Sequence, residues 1–111
     1  MRIKRNTVTL LLVAIVILYF GFSGVAGADA RRGEHFSERW CSQCHGVRSG
    51  QASPYASAPS FSDLAANPAT TRDSLIVSLR TTPHWTMPKI KLKSADINDV
   101  VSYILSLRTP R

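Results

Sequence analysis

The chain has 111 residues, 44% of them hydrophobic, with 14 Lys and Arg against 7 Asp and Glu and only two cysteines. That length holds one small domain and excludes a multidomain enzyme. Residues 29–111 alone carry 11 basic and 7 acidic side chains, a net +4 without the clustered Lys/Arg face that nucleic-acid binding requires.

Arg2, Lys4 and Arg5 precede an apolar run from Val8 to Phe20 and a small-residue tail from Gly21 to Ala30, the order of an export signal. Two small-x-small cleavage sites fit, Ala26-Gly27-Ala28 and Ala28-Asp29-Ala30. Cleavage after Ala28 is favoured, which makes 1–28 a signal peptide and 29–111 the mature domain. The alternative is a retained anchor, because residues 7–28 as a helix would span about 33 Å against a hydrocarbon thickness of roughly 30 Å. The densely apolar part is shorter than that, which favours cleavage. In either reading residues 29–111 face an extracytoplasmic space, expected to be the periplasm.

Residues 31–45, RRGEHFSERWCSQCH, place Gly33, Phe36 and Trp40 on one helical face and predict a first helix. Residues 46–60 are rich in Gly, Ser, Ala and Pro and read as a loop. A single helical turn is expected over 61–66. Thr70-x-x-Asp73 has the spacing of a capping box and opens a helix over 71–80 with Leu75, Ile76 and Leu79 on one face. An irregular stretch with two prolines follows, ending in alternation from Lys89 to Lys93 that reads as extended chain. Last, Ser94 as N-cap and Ile97, Val100, Val101, Ile104 and Leu105 define an amphipathic helix. No alternating strands occur, so the fold class is all-α.

The two cysteines lie together in Cys41-Ser42-Gln43-Cys44-His45. Two residues between thiols bring both sulfurs within reach of the two vinyl groups of one porphyrin, and the adjacent histidine is then held where its imidazole meets the iron. A thiol-disulfide motif is a distant alternative, since Trp40 completes a WCxxC, but here a helix precedes the motif and a loop follows, the reverse of a thioredoxin-like setting. Zinc would need a second ligand pair, which is missing from the sequence. A plain disulfide closing so short a loop contributes little and leaves His45 without a role. Covalent haem therefore leads. It also supplies what an 83-residue chain lacks, because roughly 1.5 kcal/mol of conformational entropy per residue must be offset by a core or a staple.

With Gly33 eight residues before Cys41, the CSQCH pentapeptide, the segment APSF (58–61), Thr86-Met87-Pro88 and the closing DVVSYILSL (99–107), the chain resembles the class I c-type cytochromes over essentially all of residues 29–111. The resemblance implies three to four short helices wrapped around one haem c, with the terminal helices crossing near Gly33. It implies covalent attachment through Cys41 and Cys44, iron ligation by His45 on the proximal side and Met87 on the distal side, and a proline carbonyl, from Pro54 or Pro59, receiving the proximal imidazole N–H. Met87 also stands out from the residues: apart from Met1 it is the one methionine, set in a proline-bounded loop, with His84 as its rival and bis-histidine ligation as the consequence if His84 wins. The family's aromatic four residues after the helix glycine is here Ser37, so the crossing is expected to pack differently.

With both axial positions filled, the metal exchanges only electrons. The expected function is a one-electron carrier in an extracytoplasmic redox chain, passing electrons between a redox donor and acceptor. Lys89, Lys91 and Lys93 project to one side of an extended segment and read equally as a solvated edge or as a patch for an acidic docking surface. Two alternatives of other classes stand beside it: a haem-bearing subunit of a larger membrane-associated respiratory complex, and a haem protein whose labile Met87 opens the iron to peroxide or a gas. No acid or base placed to support the latter is visible in the sequence.

Overall fold

The computed structural model describes residues 2–20, 28–81 and 91–109, which form helices and connecting loops with no strand among them. The helices are α1 (Arg2–Phe20), α2 (Ala30–Trp40), α3 (Phe61–Ala66), α4 (Arg72–Thr81) and α5 (Ser94–Ser106). In α1 the apolar side chains from Val8 to Ile17 are exposed. Among the described residues no helix is long and apolar enough to cross a membrane.

Hydrophobic burial centres on α5. Its Ile97, Val100, Val101, Tyr103 and Ile104 are buried with Val47, Phe61, Ala65 and Leu75. The apolar spacing of α5 therefore does what its period demands, turning one stripe inward. Its cap lies one residue earlier than the sequence suggests: Lys93 is the N-cap, and its N–H donates to the Asp96 carboxylate at 3.3 Å.

The terminal α2 and α5 cross at Gly33. A Cβ there would run into the Asp99 carbonyl oxygen and approach the Tyr103 Cβ to 2.9 Å, so only glycine lets the helices meet this closely. The buried face of α2 is Gly33 and Ser37, with Phe36 half-buried and Trp40 exposed. This corrects the Gly33/Phe36/Trp40 face. Close approach at Gly33 centres the contact on its i+4 neighbour, and Ser37 satisfies its own buried hydroxyl by donating to the Gly33 carbonyl at 2.7 Å. Trp40, rotated outward, packs against Phe36 and beneath the Arg39 guanidinium.

The first helix also stops at Trp40 instead of running to His45. The Ser37 carbonyl accepts N–H bonds from both Cys41 and Ser42, at 2.8 and 3.1 Å, which closes the last turn. The α4 cap is likewise displaced. Ser74 N–H donates to Thr71 Oγ1 and Thr71 N–H to Ser74 Oγ, a reciprocal pair one residue beyond the Thr70/Asp73 spacing. Thr70 is buried, and its carbonyl accepts from Arg108 Nη2 at 2.8 Å.

Candidate functional site

The segment after α2 turns sharply. Cys44 and His45 N–H groups both donate to the Cys41 carbonyl, at 3.2 and 2.9 Å, so the pentapeptide folds over on itself. The following loop is tied back to it by Tyr55 N–H to the Cys44 carbonyl and Phe61 N–H to the Gly46 carbonyl. Gly46 is buried, and a Cβ there would collide with the Gln51 carbonyl oxygen. The loop thereby brings Pro59 over the histidine.

His45 Nδ1 lies 2.7 Å from the Pro59 carbonyl oxygen. A carbonyl only accepts, so Nδ1 carries the proton and Nε2 keeps the ring's free lone pair. Pro59, not Pro54, makes this contact. Sequence spacing left the two open, and the deciding signal is Ser60, which caps α3 by accepting from Asp63 N–H and fixes the backbone just after Pro59.

His45 and Cys41 line an apolar cavity of about 280 Å³. Its other walls are Pro59, Phe61 and Leu64 around α3, Leu75, Ser78 and Leu79 of α4, and Val100 and Ile104 of α5. Cys41 and Cys44 are both half-buried and form no disulfide with each other. Burial pushes the Cys41 thiol up to about 11, with a hydrogen bond from Ser37 pulling the other way. Activated redox thiols are shifted downward, so the thiol-disulfide reading has no support in this environment. An apolar slot bounded at one edge by a thiol and an imidazole with an oriented lone pair fits a porphyrin anchored at that edge.

Met87, His84 and Trp85 lie outside the described residues, as does Lys89. Lys91 and Lys93 are exposed beside the start of α5, and His35 is exposed on α2. Sequence reasoning missed Asp99 and Tyr103 as buried residues. Tyr103 donates its hydroxyl to the Val47 carbonyl at 2.8 Å, and burial raises its pKa.

A helical shell around an apolar slot, with terminal helices crossing at a glycine and a CxxCH turn on the slot's wall, defines a c-type cytochrome. Residues 28–104 match the family described as cytochrome C oxidase, cbb3-type, subunit III. A protein of Bradyrhizobium diazoefficiens, "Cytochrome c-552", is 38% identical over 86 residues, which cover 78% of this chain and 82% of that protein. No solved structure matches. The chain belongs to this cbb3-type subunit III family of c-type cytochromes. Its cofactor is covalently bound haem c with its iron, and it is an electron-transfer protein.

Proposed function

We propose that the protein is a monohaem one-electron carrier of an extracytoplasmic redox chain, in which Cys41 and Cys44 would hold the haem as thioethers and His45 and Met87 would bind its iron. Bound haem c supplies a one-electron iron couple. The observation that carries the reading is the His45 Nδ1–H bond to the Pro59 carbonyl, which fixes the tautomer, orients the ring and reserves Nε2 for a metal. Phe61, its ring centroid 5.7 Å from that of His45, and the leucines of α3 and α4 keep water from the pocket and favour the less charged, reduced state. The Met87 thioether, as a soft iron ligand, would act in the same direction.

Residues 1–28 act as the export signal, with 29–111 as the mature domain. The similarity to a cytochrome c-552 favours a carrier. The family's name favours a second reading, a haem-bearing subunit docked in a membrane oxidase. Co-purification of a stoichiometric membrane complex with the tagged protein would select that reading.

Ligation is tested by the weak red-edge absorption band of thioether-ligated ferric haem. The band is expected in the wild type and lost in Met87→His. A wild type without it overturns Met87 as the ligand.

A further inference from the structure

The start of α2 contains a charge cluster in which the Asp29 and Asp99 carboxylates meet the Arg32 guanidinium. Asp29 Oδ1 caps the helix by accepting from the N–H groups of Arg31 and Arg32, at 2.8 and 3.3 Å. The Asp29 backbone nitrogen donates to Asp99 Oδ1 at 2.7 Å. Asp99, only 7% exposed, also receives Arg32 Nε on Oδ2 at 2.8 Å and Arg32 Nη2 on Oδ1 at 3.2 Å, while Arg32 Nη1 lies 3.4 Å from Asp29 Oδ2. Two carboxylates thus share one guanidinium. Ala28 is exposed, and both Ala28 and Asp29 lie outside any helix, Asp29 with extended backbone (φ −116°, ψ 113°). From Ala30 onward the chain is helical, and Ala30 packs against the core.

We propose that export cleavage falls between Ala28 and Asp29 and that the α-ammonium group it releases is the ion-pair partner of Asp99, fastening α2 to α5 in the mature protein. The inference rests on the export reading given above. The covalent step is hydrolysis of the Ala28–Asp29 peptide bond by a leader peptidase of the exporting cell. Water's oxygen joins the Ala28 carbonyl carbon to give a carboxylate, and the Asp29 nitrogen leaves as an amine that takes up a proton. The donor already 2.7 Å from Asp99 becomes a cation, and the cluster reaches two charges of each sign. Cleavage after Ala30 would instead delete the cap, the donor to Asp99 and the packed Ala30.

The groups facing the amine are Asp99 from α5 and Asp29 and Arg32 from α2. The carboxylates hold the ammonium's pKa above the ordinary value of about 7.7–8.0, against Arg32 and the positive end of the α2 dipole. The pair's stabilisation is therefore complete below about pH 7.7 and fades as pH rises through the folded value.

The test uses holo-protein from an exporting, haem-ligating host. Its intact mass gives the first residue, and competitive acetylation of the α-amine is followed at pH 8 in the folded protein and in denaturant. The expected result is a start at Asp29 and folded-state acetylation about four- to sixfold slower than unfolded, the loss of free amine at pH 8 when a pKa of about 7.7–8.0 rises by one unit. Asp99→Asn, and separately one glycine added ahead of Asp29, should each remove most of that protection. A start at Met1 or Arg31 overturns cleavage after Ala28 and the pairing with it, whereas the export reading fails only if the haem-loaded protein is absent from the extracytoplasmic fraction. A start at Asp29 with an amine as reactive as in the unfolded chain overturns the pairing alone.

Discussion

Gly33 bears the crossing of α2 and α5, because the Asp99 carbonyl and the Tyr103 Cβ occupy the volume any side chain would need. Gly33→Ala is expected to cost at least the roughly 1–3 kcal/mol of ordinary overpacking, read as a lowered denaturation midpoint of the holo-protein. Next to Gly33 in the same junction, the Arg32 guanidinium holds the Asp99 carboxyl below the usual carboxylate range, overcoming the opposing effect of burial, with the Asp29 N–H adding to it. A depressed folded value gives stability that is complete above the unfolded pKa of about 3.9 and lost as pH falls through the folded one. Asp99→Asn should therefore lower Tm at neutral pH and flatten its decline below pH 4. An unchanged acid limb would show that Asp99 is not the group titrating there.

At the scale of elements, caps and clamps decide where helices begin and how α3 and α4 meet α5. Thr71→Ala removes the Oγ1 that accepts from Ser74 N–H, leaving the backbone bond to Ser74 Oγ in place, and should cost about 0.5–2 kcal/mol, measured by chemical denaturation. Arg108, just beyond α5, donates Nε to the Ala65 carbonyl and Nη2 to the Thr70 carbonyl, at 3.0 and 2.8 Å, holding the α3–α4 turn that supports Leu64 and Leu75. Charge-assisted bonds of this kind are worth about 1.5–3 kcal/mol, so Arg108→Gln should destabilise by about that much. The α5 stripe, the short α3 turn and the inward face of α4 were legible in the sequence because apolar periodicity and Ser60 encode them directly. The inner face of α2 was not. Hydropathy selects Trp40, whereas close backbone approach selects Gly33 and Ser37, and burial of small residues leaves no apolar signature. Cap positions slipped by one residue because Thr70 and Thr71, or Lys93 and Ser94, offer neighbouring starts that only tertiary contacts separate. The CxxCH motif stands out in the sequence by itself, but Pro59 was separated from Pro54 only by the fold of the 46–60 loop.

For the whole molecule, haem c is the cofactor, and the apolar cavity between His45, α3, α4 and α5 is the space that would receive it. Lys91 and Lys93 stand exposed near the start of α5, with Lys89 outside the described residues. If these lysines steer docking, charge reversal at all three lowers the second-order rate with an acidic redox partner and weakens its salt dependence. Unchanged stopped-flow kinetics would make them a solvated edge. The most direct test of the account is the intact mass of the exported product together with its pyridine haemochrome spectrum. The account predicts a mass increased by one haem and a spectrum of a porphyrin with both vinyl groups saturated. A bare polypeptide mass from cells that perform the ligation would contradict it.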